Sequence, residues 1–101
     1  MDITNLLKVN PLLVDRIRLS IMAFLASADE PVAFNTLIDE LKLTKGNLSS
    51  HIRKLEEAQF IEVKKEFVGR RPQTTYLCTK LGKQEMSDYL TAVESVLKEA
   101  L

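Results

Sequence analysis

The run Leu43-Thr44-Lys45-Gly46-Asn47-Leu48-Ser49-Ser50-His51-Ile52-Arg53-Lys54-Leu55-Glu56-Glu57 restricts what this chain can fold into more than any other stretch. Thr44 offers a hydroxyl that can accept a free backbone N–H in the first turn of a helix. Leu48, Ile52 and Leu55 follow at spacings of four and three. At about 100° per residue they fall in one narrow stripe, which must face a core. The spacing therefore predicts a helix over 44–58. Its other side carries Gly46, Asn47, Ser50, Arg53 and Lys54, with one acid, Glu57, towards the far end. A solvated helix face ordinarily mixes Glu and Lys. This face is small, polar and almost free of acids, which suits approach to a phosphate-lined groove. Taken alone it fits an ordinary surface face equally well, so its neighbours must decide.

Composition narrows the classes. A chain of 101 residues reads as one domain, 1–101, large enough for a modest core. Its apolar content is too high for a disordered segment. No apolar run approaches the roughly 20 residues of a membrane span, and no signal-peptide pattern opens the chain, so a cytoplasmic location and no membrane partner are expected. Cys78 is the single cysteine and His51 the single histidine. Together they form neither an internal disulfide nor a cysteine/histidine metal site, so no metal and no cofactor are expected. The net charge of zero conceals a division. Residues 42–72 hold eight bases (Lys42, Lys45, Arg53, Lys54, Lys64, Lys65, Arg70, Arg71) and four acids (Glu56, Glu57, Glu62, Glu66), a balance of +4. The remainder is therefore −4. A basic third in a neutral chain favours a polyanionic partner, and the acidic remainder discourages indiscriminate binding.

In chain order, Ile3, Leu6 and Leu7 are spaced for one face of a short helix that wants a covering surface, from the chain itself or from a second subunit. Asn10-Pro11 reads as an N-cap with proline at the first helical position. Leu13, Ile17, Ile21, Phe24 and Leu25 then give a helical stripe running to about Ser27, with Arg16 and Arg18 off it. Ala28-Asp29-Glu30-Pro31 is a turn. A short helix, about Ala33 to Leu41, buries Phe34, Leu37, Ile38 and Leu41. Lys42 and Leu43 connect it tightly to Thr44, which is the helix-turn-helix pattern. In that geometry the second helix enters the major groove, its N-terminal residues nearest the base edges. From Phe60 the period falls to two, predicting a strand. Residues 67–73, with Gly69, Arg70, Arg71 and Pro72, read as a basic loop, and 74–78 as a second strand. Strand, basic loop and strand make a hairpin wing over 64–75, whose arginines can reach the minor groove or flanking phosphates. Thr79 can cap a last helix, about Lys80 to Ala100, with the stripe Leu81, Met86, Tyr89, Leu90, Val93, Val96, Leu97 and Leu101. At near 30 Å it outreaches a core of this size. The surplus apolar surface argues for a homodimer.

With these residues in place, the chain resembles the small stand-alone winged helix-turn-helix transcription regulators related to the MarR, PadR and ArsR groups. The resemblance is carried by Arg18-Leu19-Ser20-Ile21-Met22 and by Phe34 with Leu37. Residues 43–56 are its most specific part. Lys65, Phe67, Gly69, Arg70, Arg71, Pro72 and Thr74 carry it through the wing, and Thr79 with Gly82 into the last helix. Gln59-Phe60 replaces the usual Gly-aromatic or Gly-Leu pair, and Cys78 stands where Leu is usual. The resemblance implies a mainly α fold with a small β-hairpin, a winged helix-turn-helix with a long C-terminal dimerisation helix. It also implies a dimeric double-stranded DNA-binding regulator of an archaeon or bacterium, commonly a repressor. It supplies no inducer. Metal sensing of the ArsR type needs ligand sets that are missing here, and nothing marks a pocket of the MarR type for a small-molecule effector.

The residues expected at DNA are Lys45, Gly46, Asn47, Ser49 and Ser50 at the start of the helix, with Gly46 allowing close backbone approach. Arg53 and Lys54 lie a turn further on, for phosphate or a guanine at the groove edge. Lys64, Lys65, Arg70 and Arg71 belong to the wing, where a solvated turn is the plain alternative for the arginine pair. His51 flanks the apolar stripe and either hydrogen-bonds a phosphate or bridges core and surface. Residues 10–78 are expected to form the winged-helix core. Dimerisation is expected from 1–9 and 79–101, through Ile3, Leu6, Leu7, Met86, Tyr89, Leu90, Val93, Val96 and Leu97. Cys78 reads as a small buried hydrophobe. Two rivals share the fold: a protein–protein adaptor, which has no need of a basic helix and a basic wing together, and a weakly specific chromatin-type binder, which uses the same phosphate contacts. An enzyme finds no support, for the chain has no glycine-rich phosphate loop and no paired-carboxylate motif.

Overall fold

The computed structural model describes residues 3–101, so the first two residues of the expected dimerisation segment 1–9 lie outside it. Two 3-10 helices, Ile3–Lys8 and Pro11–Val14, precede α1 (Arg16–Ser27). Then come β1 (Val32–Ala33), α2 (Phe34–Leu41), α3 (Lys45–Glu57), β2 (Ile61–Val68), β3 (Arg71–Cys78) and α4 (Lys80–Ala100).

The helix expected from Pro11 to Ser27 is divided. Asn10 Oδ1 accepts the Leu12 N–H at 3.0 Å, but it caps only the short 3-10 helix. Asp15 then turns extended, with ψ 128°. Its carboxylate accepts the N–H groups of Ile17 (2.8 Å) and Arg18 (3.0 Å), donors that a helix start leaves without carbonyl partners. The Arg18 N–H bond is the main reason that the Asp15 carboxyl sits below the usual carboxylate range.

α2 ends on Lys42 in the left-handed region (φ 54°). The Leu43 N–H reaches back to the Ile38 carbonyl at 3.2 Å. Thr44 then caps α3 by accepting the Asn47 N–H at 3.1 Å. Leu48, Ile52 and Leu55 are buried as their spacing requires. They join Leu13, Ile21, Met22, Leu25 and Leu37 in the core between α1, α2 and the sheet. Truncating any one such leucine costs about 2–5 kcal/mol, so α3 is fixed from behind while its other face stays in solvent.

The sheet has three strands in the order β1-β3-β2, all antiparallel. The sequence suggests only a hairpin. β1 is two residues, Val32 and Ala33, laid against Tyr76 and Thr75, just past the expected turn and where the next helix is expected to begin. The wing is also longer and tighter than expected. Strand pairing continues to Val68↔Arg71, leaving a two-residue turn, Gly69-Arg70, in place of a loop over 67–73. Gly69 has φ +66° and Arg70 does not share the positive region, the pattern of a type II′ turn with glycine at its first central position. Counting back from the turn, Phe67↔Pro72 falls in a non-hydrogen-bonded pair, so the absent Pro72 N–H costs the ladder nothing.

One junction ties α3, β2 and α4 together. Thr79 N–H donates to Phe60 O at 3.0 Å. Thr79 Oγ1 donates to Gln59 O at 2.7 Å and accepts the Gly82 N–H at 3.0 Å. A side chain at position 82 would place its Cβ 2.3 Å from Phe60 O and 2.9 Å from Met22 Cε. Gln59, the residue in place of the resembled family's glycine, has φ +64°, which costs an L-residue about 1–2 kcal/mol.

Beyond this junction α4 leaves the body. Only Gly82, Met86 and Ala92 are buried along its 21 residues. The radius of gyration, 15.2 Å, exceeds the ~13 Å of a compact chain of this length, and the molecule measures 56 × 25 × 22 Å. Met86, expected at a subunit interface, lies in the chain's own core at 7% exposure. The reason is its place in the first half of α4, which still packs on α1.

Gly82→Ala is expected to destabilise the protein by about 3 kcal/mol, from backbone overpacking. Gln59→Gly is expected to stabilise it by about 1 kcal/mol, from relief at a left-handed position. The midpoints of urea unfolding check both signs.

Candidate nucleic-acid interface

Lys45, Gly46, Asn47, Ser49, Ser50, Arg53 and Lys54 are all exposed on α3. Gly46, Ser50 and Arg53 lie near the centre of the outer face, opposite the Leu48–Ile52–Leu55 stripe, at about 100° per residue. Gly46 has open space where a side chain would stand. Nothing in the fold asks for glycine there, and glycine within a helix costs about 0.5–1 kcal/mol against alanine.

Ser49, Arg53 and Glu56 occupy the flank of α3 that faces the wing. With Phe34 and Asn35 of α2 and with Lys65, Pro72, Thr74 and Tyr76 of the sheet, they line an open cleft of about 540 Å³. Tyr76 is buried at its floor, 6.3 Å from Phe34 between ring centroids. Burial pushes its phenol up, and the Glu56 carboxylate adds to the effect.

The wing's two faces differ. Residues 61, 63, 65 and 67 share one face, and their partners Cys78, Tyr76, Thr74 and Pro72 share it too. This is the face towards α3, and it places Lys65 in the cleft. Lys64 lies on the opposite face and pairs with Glu66 at 3.5 Å. The sequence grouped the two lysines; the pleat separates them. Arg70 stands at the turn, and Arg71 shares the Lys64 face beside it. Among the described residues, Lys45, Arg53, Lys54, Lys65, Arg70 and Arg71 have no intrachain ion pair.

His51 occupies the other flank of α3, towards α1. Its Nδ1 is 3.0 Å from Arg18 Nη1, and Arg18 Nε donates to Leu12 O at 2.8 Å. A guanidinium only donates, so His51 Nδ1 accepts and the ring proton sits on Nε2. The bridge from α3 to α1 is therefore real, and it leaves Nε2–H as the ring's free donor. Asp15, at the start of α1, is close enough that the Arg18 guanidinium also lowers its carboxyl by its charge. Arg18 is the residue that sequence reasoning missed. The only local signal was its position off the apolar stripe, and its partner lies 33 positions away.

Cys78 is buried at 5% exposure. Burial pushes its thiol up, against the pull of Lys83, which keeps it an unreactive small hydrophobe at neutral pH. Among the described residues, no helix is long and apolar enough to cross a membrane.

The winged helix DNA-binding domain family matches residues 17–97, from α1 to near the end of α4. The chain belongs to that family. An uncharacterized protein of Methanocaldococcus jannaschii is 35% identical over 82 residues, 81% of this chain and 88% of its own length. A transcriptional regulator homologue protein from Pyrococcus horikoshii OT3 superposes with a TM-score of 0.86 at 31% identity, covering 99% of this chain and 98% of that one. A PadR-like transcription factor from Bacteroides fragilis shares the fold at TM-score 0.70 and 21% identity, covering 83% and 84%. In winged-helix terms, α2 and α3 are the helix-turn-helix, α3 is the recognition helix, and β2–β3 is the wing. The fold is mainly α, as expected, with three strands in its sheet.

A nitrogen-15 spectrum of the imidazole should show the Nε2–H tautomer of His51 in the native protein, and a mixture of tautomers in Arg18→Ala. A native Nδ1–H signal would rule out the Arg18 contact.

Proposed function

We propose that this winged-helix protein is a homodimeric, site-specific regulator of transcription, acting as a repressor on double-stranded DNA. The observation that carries the reading is the outer face of α3. It has no acid before Glu56, cations without intrachain partners, and a glycine that the fold does not need. Gly46 lets the helix backbone come close to the groove. Lys45, Asn47, Ser49 and Ser50 contact base edges or nearby phosphates. Arg53 and Lys54 hold phosphate or a guanine at the groove edge. His51 donates through Nε2–H to a phosphate. Lys65, Arg70 and Arg71 engage the backbone beside the minor groove, with Lys64 adding only distant charge. Such contacts need no cofactor and no catalytic group, and a protein that makes them works beside the chromosome in the cytoplasm.

Dimerisation is assigned to the ends of the chain, outside a winged-helix core of residues 10–78. Leu90 (55% exposed) and Leu97 (52%) lie on α4, and Ile3 and Leu7 on the first 3-10 helix are exposed with them. Leu6, Tyr89, Val93 and Val96 line an apolar groove between that helix and α4. A second copy covering this surface supplies the two-fold symmetry by which helix-turn-helix dimers read paired half-sites about 34 Å apart. The groove is also a place where an apolar effector would meet the dimer elements.

Gly46→Ala is expected to stabilise the fold by about 0.5–1 kcal/mol while weakening DNA binding at least about tenfold, by keeping the backbone out of the groove. Arg53→Ala should cost about 1–3 kcal/mol on a specific site. Calorimetric melting and gel-shift titration check the pair. Unchanged binding by both variants would take α3 away from DNA. Leu90→Glu with Val93→Glu should give monomers by light scattering, and an unchanged mass would deny this interface.

A further inference from the structure

We propose that Phe67, backed by Pro72, is an apolar wedge that the wing presses into the minor groove at a flexible base step, kinking the duplex. This rests on the DNA reading above and goes beyond its charge contacts. Phe67 is 74% exposed at the far end of β2, well past Val63, the last residue of that strand to pack on the core. Phe67 contributes nothing to the core. Its surroundings indicate what covers it.

Phe67 shares the wing face of Lys65 and Thr74, the face towards α3, and the nearest acid on its strand, Glu66, points to the other side and is paired with Lys64. Arg70 at the turn and Arg71 beside it have no acid partner among the described residues. A ring beyond Lys65 on an acid-free face, with Arg70 at the adjoining turn and Arg71 on the reverse face beside it, fits a surface that is anionic at its rim and apolar within. The minor groove is such a surface, with phosphates along its edges and sugar and base faces inside.

The ring also stands on paired backbone. The Phe67↔Pro72 pairing is non-hydrogen-bonded, the closer of the two kinds of cross-strand pair, so the two side chains are neighbours on one face of the wing. The II′ turn at Gly69-Arg70 leaves no slack beyond it. A wedge must resist being pushed back, and this one is built on paired strands rather than on a loop. Apolar side chains inserted at base steps bend DNA, most easily at pyrimidine–purine steps. The consequence for specificity is that the wing selects deformable sequence flanking the site that α3 reads.

The test measures end-to-end energy transfer and affinity together. The probe is a dye-labelled duplex of about 30 base pairs, enriched by the native protein from a randomised pool. Native protein, Phe67→Ala, Phe67→Leu and Arg70→Ala are compared. Phe67 is outside the core, so all should melt alike. Phe67→Ala is expected to bind roughly tenfold more weakly, as for loss of a base-stacking side chain, with an unbent duplex and an unchanged salt slope. Phe67→Leu should keep most of the bend. Arg70→Ala should lower the salt slope by about one and keep the bend. A Phe67→Ala complex as tight and as bent as the native one would overturn the wedge, as would a native complex without a bend. Failure of the native protein to retain any duplex would instead overturn the DNA reading, and the wedge with it.

Discussion

The carbonyl oxygen of Phe60 accepts the Thr79 N–H at 3.0 Å, and the space for that bond exists because residue 82 has no side chain. Much else depends on this contact. It joins Phe60, three residues past the end of α3, to the N-cap of α4, while Thr79 Oγ1 fastens Gln59 to the same point and caps α4 through Gly82. The direction of the recognition helix and the direction of the helix assigned to the dimer are thus fixed at one place, within a few residues. In the proposed dimer, the far half of α4 would set the spacing of two recognition helices without any flexible linker between. The left-handed Gln59 is strain accepted at the same junction.

Charge is arranged to a similar end. Four of the cations on α3 and the wing, Arg53, Lys65, Arg70 and Arg71, have no acid partner, whereas Lys64 and Lys98, away from the face towards α3, pair with Glu66 and Glu94. Exposed pairs of that kind contribute little to stability. Their effect is on the field, since they cancel charge where none is needed and leave it where a polyanion would approach. Arg18 serves differently. It is hydrogen-bonded to His51 and to Leu12 O, so it orients the imidazole with Nδ1 towards α1.

The elements that sequence made plain are those whose signals are local. Thr44, the Leu48–Ile52–Leu55 stripe and Thr79 state helix starts and buried faces within a few residues. The break at Asp15 escaped because the apolar stripe from Leu13 to Leu25 runs through it with nearly unchanged period, and only the carboxylate's two hydrogen bonds show where one helix stops and another begins. β1 escaped because two residues carry no periodicity, and their strand character comes from Thr75 and Tyr76 far along the chain. The wing was drawn with too long a loop because Gly69, Arg70 and Pro72 are all turn formers. Pro72 is instead tolerated inside a strand, at a pair that needs no N–H. Of the residues expected at DNA, Lys45, Gly46, Asn47, Ser49, Ser50, Arg53 and Lys54 are exposed on α3 and Lys65 faces it. The pleat turns Lys64 and Arg71 to the other face of the wing, and α1 takes Met86, expected at the dimer, into the core. Arg18, Phe67 and the cleft floor at Tyr76 depend on contacts between distant positions, and no local pattern announces them.

The most direct test of a site-specific regulator is the salt dependence of its binding to two duplexes, one enriched from a randomised pool by the protein itself and one of random sequence. The account predicts steep slopes on both, reflecting several phosphates per dimer, and an affinity for the enriched duplex at least about 10³-fold higher at physiological salt. Equal affinity for both would contradict site-specific reading and leave a protein that coats DNA. Absence of binding to either duplex at low salt would contradict the assignment of α3 and the wing to nucleic acid altogether.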